Sequence, residues 1–479
     1  MTGVLYDAQG AQTPDHPERG IARYITELGV ALGRVAPGVV EAVVYDPSLP
    51  LTPPFERLRE TAPLVPIDHD VVTRARVYHV GSPFELGRPG ITLVPLAVRR
   101  ARSRLVATLY DLIPLVFPSA YLPNPFDRLL YRRSLELVRA CDTVVAISAM
   151  SARDAGRLLG IPSSRLRVIG AGAGADFVPP ASIADVTARL VADQPGLRPG
   201  YVFLPTGMDS RKNWQGALQA YGRLPSSVRR AHQLVLTCRV DAHQRAAVAA
   251  LAAGIGIADD VLVTGVVDDA TLVRLYQAAR VVLFPSRYEG FGLPVLEARL
   301  CGAPVICGDN SSLTEVLLDP EARFDADDAT AISATLARAL TDDGYRERLR
   351  TAATAPFTWD HAARETAAVY GGLLADPRAR GRRRIGIVAT GQPAATAASG
   401  ATVTWFCPLP EGASPDAGTV SRALLPVYDT AGALDAVWYL AGDDGLDAEQ
   451  LRLRAAHPGE VVSAAEVDDR VGRLAAHGG

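Results

Sequence analysis

The chain has 479 residues, of which 48% are hydrophobic and 21% are charged, and its formal net charge is −3. This balance is typical of a globular protein of two or more domains, and it excludes the strongly basic character of nucleic-acid-binding proteins. The five cysteines form no Cys-x-x-Cys pair, no signal-peptide pattern opens the chain, and no apolar run reaches the roughly 18 residues of a membrane span. We therefore expect a cytoplasmic protein without a zinc site or a disulfide framework.

Short apolar runs rich in β-branched residues alternate with amphipathic helical patterns along most of the chain. Such runs are typical of buried parallel strands joined by crossover helices, which predicts an α/β fold. After an opening strand at 4–6, the predicted strands lie at 43–45, 105–107, 143–147, 166–169, 201–204, 234–236, 261–263, 281–284 and 304–306. The proline-rich stretch 178–200 interrupts this alternation and predicts an interdomain linker. Ligands bind beyond the carboxyl ends of parallel strands, so we expect the site in the cleft between two domains.

A charged segment rich in proline and glycine breakers, 376–384, follows the helical pattern at 358–375 and predicts a basic linker. Beyond it, strand-like runs lie at 402–406 and 436–439, with a proline-rich loop and a helix-like run at 420–425 between them. These patterns predict a partial α/β extension over 385–479.

A glycine-rich loop, 285–292, follows the predicted strand 281–284 and leads into a helix whose first turn contains Pro294. A loop of this kind presents free backbone N–H groups and the positive end of a helix dipole, which is a site for a phosphate. Glu289 lies before the helix and Glu297 within it, so the two carboxylates reach different parts of one ligand. Carboxylates are good acceptors for sugar and ribose hydroxyls.

Lys212 is the only lysine among the 49 lysine and arginine residues of the chain. A composition that replaces lysine with arginine elsewhere suggests that this position needs a compact ammonium group, because a planar guanidinium does not substitute for it at a crowded anion. The sequence therefore favours a functional role for Lys212.

Several motifs occur in a fixed order: Arg211-Lys212-Asn213 after Gly207, then residues 265–268, then Glu289-Gly-Phe-Gly-Leu-Pro with Glu297. In this order they resemble the carboxy-terminal domain of the retaining glycosyltransferases of family 4. The resemblance covers residues 1–375, and the pieces 7–10, 19–24, 111–114 and 146–148 are most similar to bacterial mannosyltransferases of surface-polysaccharide assembly. It implies a GT-B fold, with an acceptor domain at 1–180, a donor domain at 200–357 and a helix at 358–375 that crosses back to the first domain.

The resemblance also implies roles for the motif residues. Lys212, with Arg211 beside it, would neutralise the diphosphate of a nucleotide-sugar as the glycosidic bond breaks. Glu297 would bind the ribose, and Glu289 would meet the hydroxyls of the donor sugar. The same phosphate would be held by the backbone amides of Phe291, Gly292 and Leu293.

Further implied positions lie in the loops around the donor. Gly207 would lie beside the donor, and Gly20 would let the first loop approach the diphosphate or the acceptor, although an ordinary helix start accounts for Gly20 equally well. The carboxylate of Asp268 suits the paired N–H donors of guanine, which favours a GDP-sugar over a UDP-sugar. Because cations and a helix end provide the electrophilic assistance, neither a metal nor another cofactor is expected.

Two departures from the family pattern bear on activity. Met208 stands where many members have arginine, so Arg211 would supply that charge from a shifted position. Tyr110-Asp111 stands where many members have His-Asp, and a phenol does not carry protons at neutral pH. Either Asp111 and a front-face mechanism suffice, with the acceptor proton passing directly to the leaving phosphate, or the protein is a catalytically degenerate scaffold for a partner enzyme. A GT-B epimerase or phosphorylase is a third hypothesis.

Arginines cluster in the first domain on and before a helix that also bears leucine and tyrosine. They predict contact with an anionic lipid surface or a diphospholipid acceptor at the inner face of the membrane, while a plain solvated helix face explains them as well. The cluster comprises Arg99, Arg100, Arg102, Arg104, Arg128, Arg132, Arg133 and Arg139.

The extension repeats the opening of the chain in outline. Residues 405–425 resemble residues 5–28 in their order of strand, proline and glycine loop, and helix. We therefore expect 385–479 to be the start of a second transferase in a tandem protein that ends early. No second Arg-Lys-Asn or Glu-Gly-Phe-Gly motif follows, so this segment would not complete a donor site.

Overall fold

The computed structural model describes most of residues 3–375 and several segments of the extension. The described ranges are 3–12, 20–84, 94–95, 98, 103–351, 357–375, 383–389, 401–407, 419–421, 436–440, 446–456, 459–463 and 466–467.

The first domain is built on a parallel sheet of seven strands in the order β3-β2-β1-β4-β5-β6-β7. Its strands are β1 Val4–Asp7, β2 Ala42–Tyr45, β3 Leu64–Pro66, β4 Val77–Val80, β5 Arg104–Leu109, β6 Thr143–Ala146 and β7 Leu166–Val168. Its longer helices are α1 Gly20–Val35, α2 Pro125–Ala140 and α3 Ala149–Leu159. Successive residues of β1 alternate between two apolar cores, Tyr6 in one and Leu5 in the other, because side chains of a strand point to opposite faces.

A linker helix, α4 Ile183–Asp193, leads to a second parallel sheet of six strands in the order β10-β9-β8-β11-β12-β13. Its strands are β8 Val202–Pro205, β9 Leu234–Thr237, β10 Val261–Val263, β11 Val281–Phe284, β12 Val305–Gly308 and β13 Arg323–Phe324. Its longer helices are α5 Trp214–Gly222, α6 Ala242–Gly254, α7 Asp269–Ala278, α8 Leu293–Leu300, α9 Ala329–Thr341 and α10 Asp343–Thr351. The chain reverses its direction of winding between β8 and β11, which is where ligands bind in such sheets.

Helix α11, Trp359–Ala375, packs against α1 and β4 of the first domain. The ring of Trp359 lies edge-on to Tyr24 at 5.0 Å, and Tyr370 hydrogen-bonds to Nδ1 of the fully buried His79 at 2.5 Å. The second ring nitrogen of His79 hydrogen-bonds to Thr108 at 2.9 Å. Both polar atoms of the buried imidazole are therefore satisfied while it is neutral.

Stability is expected to depend on pH through His79. Burial lowers the pKa of His79 to about 3 in the folded protein, whereas the unfolded chain binds a proton below about pH 6.5. The free energy of unfolding therefore falls as the pH is lowered between these values, by up to about 1.4 kcal/mol per pH unit. Urea unfolding measured between pH 4 and 7 should show that the free energy of unfolding of His79→Gln depends less on pH than that of the wild type. Asp7, whose pKa burial raises to about 6, acts with the opposite sign but is present in both proteins. Identical slopes would contradict the prediction.

The extension forms a third parallel sheet, in the order β16-β15-β14-β17-β18. This is the spatial order of the first five strands of the chain, β3-β2-β1-β4-β5. The strands are β14 Arg383–Val388, β15 Ala401–Cys407, β16 Thr419–Ser421, β17 Ala436–Leu440 and β18 Glu460–Val462, and the helix between the last two is α12 Ala448–Ala456.

Two details of the extension differ from the sequence prediction. Strand β14 begins at Arg383, inside the segment that was predicted as linker. Residues 420–421, which were predicted as the start of a helix, lie in strand β16, because they pair in parallel with β15. Three other predicted segments lie outside the described residues: the rest of the predicted helix, the proline-rich loop before it and the linker residues 376–382.

Candidate functional site

The loops that follow β8 and β11 bring two cations onto one carboxylate. The Lys212 Nζ atom lies 2.7 Å from Oε1 of Glu289, and the Arg211 Nη1 atom lies 2.8 Å from its Oε2. Glu289 is only 6% exposed. Burial alone would raise the pKa of Glu289, but the charges of Lys212 and Arg211 outweigh burial and hold the pKa below its ordinary value. The three residues that the motifs single out therefore form one ionised cluster.

A tight turn after β8 places the two cations side by side. The Asp209 side chain accepts a hydrogen bond from the backbone N–H of Arg211 at 2.9 Å, as is typical of aspartate in turns. Asn213 ends the turn with φ of 55°, a left-handed conformation that asparagine tolerates better than most residues. Trp214 is buried and begins α5. The turn is thus held by local side-chain bonds and by the packing of the helix that follows it.

The glycine loop meets both domains. Gly292 has φ of 97° and precedes α8, so the amides of Gly292 and Leu293 lie at the N-terminus of that helix. A β-carbon at Gly290 would lie 2.7 Å from the carbonyl oxygen of Tyr110 and 3.0 Å from Cβ of Asp111, both in the first domain. Phe291 is buried against Phe357 at 5.0 Å between ring centres. Gly290 therefore permits a close approach of the domains, a role that sequence analysis did not assign to it.

The N-terminus of α3 is docked on the second domain beside this loop. The Ser148 hydroxyl donates to the carbonyl of Gly290 at 2.6 Å. The Ser151 hydroxyl donates to the carbonyl of Tyr110 at 2.7 Å and lies 3.2 Å from the carbonyl oxygen of Gly290. The Glu315 carboxylate accepts from the backbone N–H groups of Ala149 and Met150 at 2.8 and 2.7 Å. These amides have no partner within their own helix, and a carboxylate at a helix N-terminus is stabilised by the helix dipole.

We call these contacts the α3 seam. Neither Ser151 nor Glu315 is predicted by the sequence motifs. The local signals are the piece 146–148 of the resemblance and the capping pattern of Ser148, whose side chain accepts from the amide three residues later.

Asp111 and Tyr110 have different environments although they are adjacent. Burial raises the pKa of Asp111, and the charge of Glu289 raises it further, while Ile113 N–H and the two cations oppose these effects. The Tyr110 hydroxyl instead donates to the carbonyl of Gly81 in the first domain at 2.8 Å. Tyr110 therefore has a structural role in the first domain, and Asp111 lies with the charged cluster.

Glu297 is held by groups from both domains. The Tyr276 hydroxyl donates to its Oε2 at 3.2 Å, and Arg23 of α1 lies 3.8 Å from its Oε1. The Arg23 guanidinium also lies 5.4 Å from the centre of the Phe177 ring. These contacts fix a buried carboxylate on α8, one turn beyond the glycine loop.

Three further predicted donor positions lie at the ends of strands and helices. Gly207 follows β8, with Cγ of Lys212 4.0 Å from the position of its absent β-carbon. Gly20 begins α1 with φ of 58° and has open space around it. Asp268 caps α7, where its carboxylate accepts from the Thr271 N–H at 2.7 Å. Hydrogen bonds from the backbone and the side chain of Thr271 lower the pKa of Asp268.

The described residues contain no group of three or more His, Cys, Asp or Glu side chains that could hold a metal ion. The cluster instead offers two cationic side chains and a helix N-terminus at one place. Such an arrangement binds phosphate oxygens and stabilises negative charge that develops on them.

The predicted basic region of the first domain is smaller than the sequence suggests. Arg104 forms an ion pair with Asp142, and Arg139 lies 3.5 Å from Glu136, so these two charges are balanced. On α2, exposed arginines lie next to Phe126 and Leu129, whose exposed fractions are 66% and 49%. Arg99, Arg100 and Arg102 lie outside the described residues.

Comparisons with known proteins agree with this arrangement. Residues 199–355 match the family described as Glycosyl transferases group 1, and residues 19–176 match Glycosyltransferase Family 4. The chain is 31% identical over 267 residues to the serotype-specific mannosyltransferase WbdA of Escherichia coli, a match that covers 54% of this chain and 32% of WbdA. It is 32% identical over 289 residues to the O-antigen chain mannosyltransferase B of Escherichia coli, covering 56% of this chain and 70% of that protein. The chain thus spans about a third of the length of WbdA.

Solved structures share the fold. Sucrose-phosphate synthase from Thermosynechococcus elongatus superposes with a TM-score of 0.58 at 21% identity, covering 78% of this chain and 98% of that one. HepE of Anabaena, solved with UDP and glucose, superposes with a TM-score of 0.59 at 15% identity, covering 77% and 99%. Two facing parallel sheets with a returning C-terminal helix are the GT-B architecture that the motifs implied. The chain belongs to the glycosyltransferases that carry a family 4 domain followed by a group 1 domain.

Proposed function

We propose that this chain transfers a hexose, mannose, from a nucleotide-sugar to a glycan or lipid-linked acceptor during surface-polysaccharide synthesis, with retention of the anomeric configuration. The observation that carries the proposal is the convergence of Lys212 and Arg211 on Glu289, beside the N-terminus of α8. The names of the curated relatives, which are mannosyltransferases of O-antigen synthesis, support the choice of sugar.

In the proposed reaction the donor diphosphate takes the place of Glu289 on the two cations. Lys212 and Arg211 then stabilise the charge that accumulates on the β-phosphate as the bond from anomeric carbon to oxygen breaks. Glu289, released from the ion pairs, accepts hydrogen bonds from hydroxyls of the donor sugar. The acceptor hydroxyl forms the new bond on the face that the phosphate leaves, and its proton passes to a phosphate oxygen. No metal is needed for these steps.

The donor is proposed to be a GDP-sugar, because the Asp268 carboxylate at the start of α7 suits the paired N–H donors of guanine. A donor-hydrolysis screen with GDP-mannose, UDP-glucose and other nucleotide-sugars tests both the base and the sugar. Calorimetric titration with GDP and UDP separates an enzyme from a catalytically degenerate scaffold, because a scaffold has no reason to keep nucleotide affinity. Absence of nucleotide binding would exclude the proposal, and product analysis with labelled donor would reveal an epimerase or a phosphorylase.

Contact with a membrane surface is part of the proposal and is assigned to α2. Phe126 and Leu129 are exposed on this helix together with Arg132. An amphipathic helix of this type buries apolar side chains at the lipid boundary while arginines bind anionic headgroups. No helix among the described residues is long and apolar enough to span a bilayer.

Changing Phe126 and Leu129 together to serine is expected to weaken binding to phosphatidylglycerol vesicles at least about tenfold, because each large side chain contributes roughly 1.5–3 kcal/mol when buried. Co-sedimentation with vesicles measures the effect. A matched control changes Val178 and Ile183, which are exposed to 51% and 42% elsewhere on the surface, to serine. Equal vesicle binding by the wild type and the Phe126 and Leu129 variant would contradict this part of the proposal.

The extension is proposed to be the opening of a second unit of the same fold, because its strand order repeats that of β1 to β5. Residues 1–375 would then hold the complete donor site. Limited proteolysis near Arg380 is expected to leave hexose transfer unchanged, as measured by initial rate. Loss of transfer on deleting 385–479 would contradict this division of roles.

A further inference from the structure

Two adjoining cavities lie at the carboxyl edge of the second sheet. Their volumes are about 410 and 320 Å³, and they share Arg287, Ala326 and Asp327 in their walls. Arg287, Asp309 and Asp325 follow the carboxyl ends of β11, β12 and β13, so the cavities open on the edge that carries Lys212 and Glu289. We call them together the lateral cavity. Each is within the size range of about 300–1,000 Å³ that is usual for small-molecule sites.

The lateral cavity is lined by polar groups of both hydrogen-bonding types. Three carboxylates accept hydrogen bonds, and amides such as that of Gln219 both donate and accept. Arg287 is the one cation among the residues that line it, and it is paired with Asp327. The carboxylates are Asp309, Asp325 and Asp327. Asp309 is paired with Arg323 at 3.1 Å, so Asp325 leaves the wall with an excess negative charge. This charge disfavours a phosphate, whereas mixed donors and acceptors suit the hydroxyls of a neutral saccharide.

Asn213 gives an independent indication of a ligand. It is 1% exposed and contributes to the wall of the lateral cavity. Its Nδ2 donates to the carbonyl of Ala326 at 2.7 Å, but its Oδ1 has no hydrogen-bond partner among the described residues. A buried acceptor without a donor costs about 1–3 kcal/mol, so a ligand hydroxyl that donates to Oδ1 would recover free energy on binding.

The position of the lateral cavity relative to the donor limits what it binds. The backbone N–H of Arg287 donates to the carbonyl of Arg211 at 2.8 Å, so the cavity shares a wall with the charged cluster. In the proposed complex the nucleotide extends from the cluster towards Glu297 and Tyr276 of α7, the helix that follows β10. The sheet order β10-β9-β8-β11-β12-β13 places the cavity on the opposite flank. That flank is therefore open to the acceptor.

We propose that the lateral cavity is a subsite for the acceptor glycan and holds saccharide units beyond the one that receives the hexose. This inference rests on the proposed function. A transferase with such a subsite binds longer acceptors more tightly than a single sugar, because only longer chains reach from the charged cluster to Asn213 and Asp327.

The test fills the cavity without touching the charged cluster. Gln219 is exposed on α5 and lines the cavity, so Gln219→Trp places bulk in it while the fold is kept. Arg230→Trp, at an exposed position on the short helix before β9, is the matched control. Each protein is first saturated with GDP. Calorimetric titration with mannotetraose, and separately with methyl α-mannoside, then measures the binding of each saccharide. We expect Gln219→Trp to raise the Kd of mannotetraose about tenfold and to leave the Kd of methyl α-mannoside unchanged. Arg230→Trp should bind both saccharides with the wild-type Kd.

Asp327→Asn removes a carboxylate without adding bulk and should also raise the Kd of mannotetraose. Equal mannotetraose affinity in all proteins, or no preference of the wild type for the longer saccharide, would overturn the proposal. So would calcium binding that Asp327→Asn abolishes without any effect on mannotetraose, since the cavity would then be a cation site. A failure of GDP itself to bind counts against the proposed function instead, and the titrations can then be repeated without nucleotide.

Discussion

Lys212→Arg is expected to lose most of the hexose-transfer activity although it keeps the positive charge. Nζ of Lys212 lies 2.7 Å from Glu289 and 5.4 Å from the centre of the Phe284 ring, and Arg211 occupies the other oxygen of the same carboxylate. A guanidinium is wider than an ammonium and needs space that Arg211 and the aromatic ring already fill. Misplacing the cation from the leaving phosphate should reduce kcat about 10²–10³-fold, the usual effect of losing one electrostatic stabiliser.

Initial rates with the donor found in the hydrolysis screen measure this effect. GDP affinity and the melting temperature should stay close to the wild-type values, because the charge remains. Arg211→Lys is the reciprocal variant and is expected to lose less activity, since a shorter and narrower group fits the space that arginine leaves. Wild-type turnover in Lys212→Arg would refute leaving-group stabilisation as the reason for the lysine.

Gly290→Ala is expected to separate the two domains at the α3 seam and to lower kcat about 100-fold, the scale of loss that follows a misplacement of about 1 Å. The added methyl group would lie 2.7 Å from the Tyr110 carbonyl oxygen and 3.0 Å from Cβ of Asp111. Neither atom is at the end of a flexible side chain, so the backbone of the loop has to move. That movement stretches the hydrogen bond from Ser148 to the Gly290 carbonyl and displaces Glu289, the preceding residue.

Rate measurements and thermal unfolding of Gly290→Ala test this expectation. Gly372→Ala is the control, because Gly372 lies in α11 with open space around it, and alanine there should stabilise the helix by up to about 1 kcal/mol. An active Gly290→Ala protein would show that the loop does not need the close approach of the first domain. Loss of activity in both variants would also contradict the assignment.

The roles of the individual glycine and tyrosine residues in the motifs could be assigned only from the structure. From the sequence, Gly290 and Gly292 appeared alike as parts of a phosphate loop, but only Gly292 has the left-handed φ, and Gly290 lies against Tyr110. Tyr110 looked like a defective proton carrier, whereas its hydroxyl is engaged by Gly81. Asp268 is predicted to recognise the base, and the structure shows that its carboxylate also caps a helix. In each case one local sequence pattern is compatible with two roles. The roles are distinguished by a contact that the local pattern does not contain.

Two strands of the first sheet also escaped the sequence analysis. Strand β3 has three residues and ends in Pro66 at the sheet edge, which leaves too short an apolar run to recognise. Strand β4 contains His79, a polar residue in a fully buried strand. His79 is tolerated because Tyr370, 291 positions away, and Thr108 satisfy its ring nitrogens. No local sequence pattern predicts the hydrogen bonds of His79 to these two residues.

The sequence by itself determined the parallel α/β architecture and the GT-B family, and it singled out Lys212 and Glu289 as candidate site residues. Apolar runs, glycine loops and helix starts are local, because they reflect the conformational preferences of a few adjacent residues. The ion pairs of Glu289 with Arg211 and Lys212, the α3 seam and the lateral cavity were decided only by the tertiary structure. Lys212 and Glu289 are 77 positions apart, and Ala149 and Glu315 are 166 apart. Which carboxylate meets which donor depends on how whole sheets and domains pack, and that packing has no local signature.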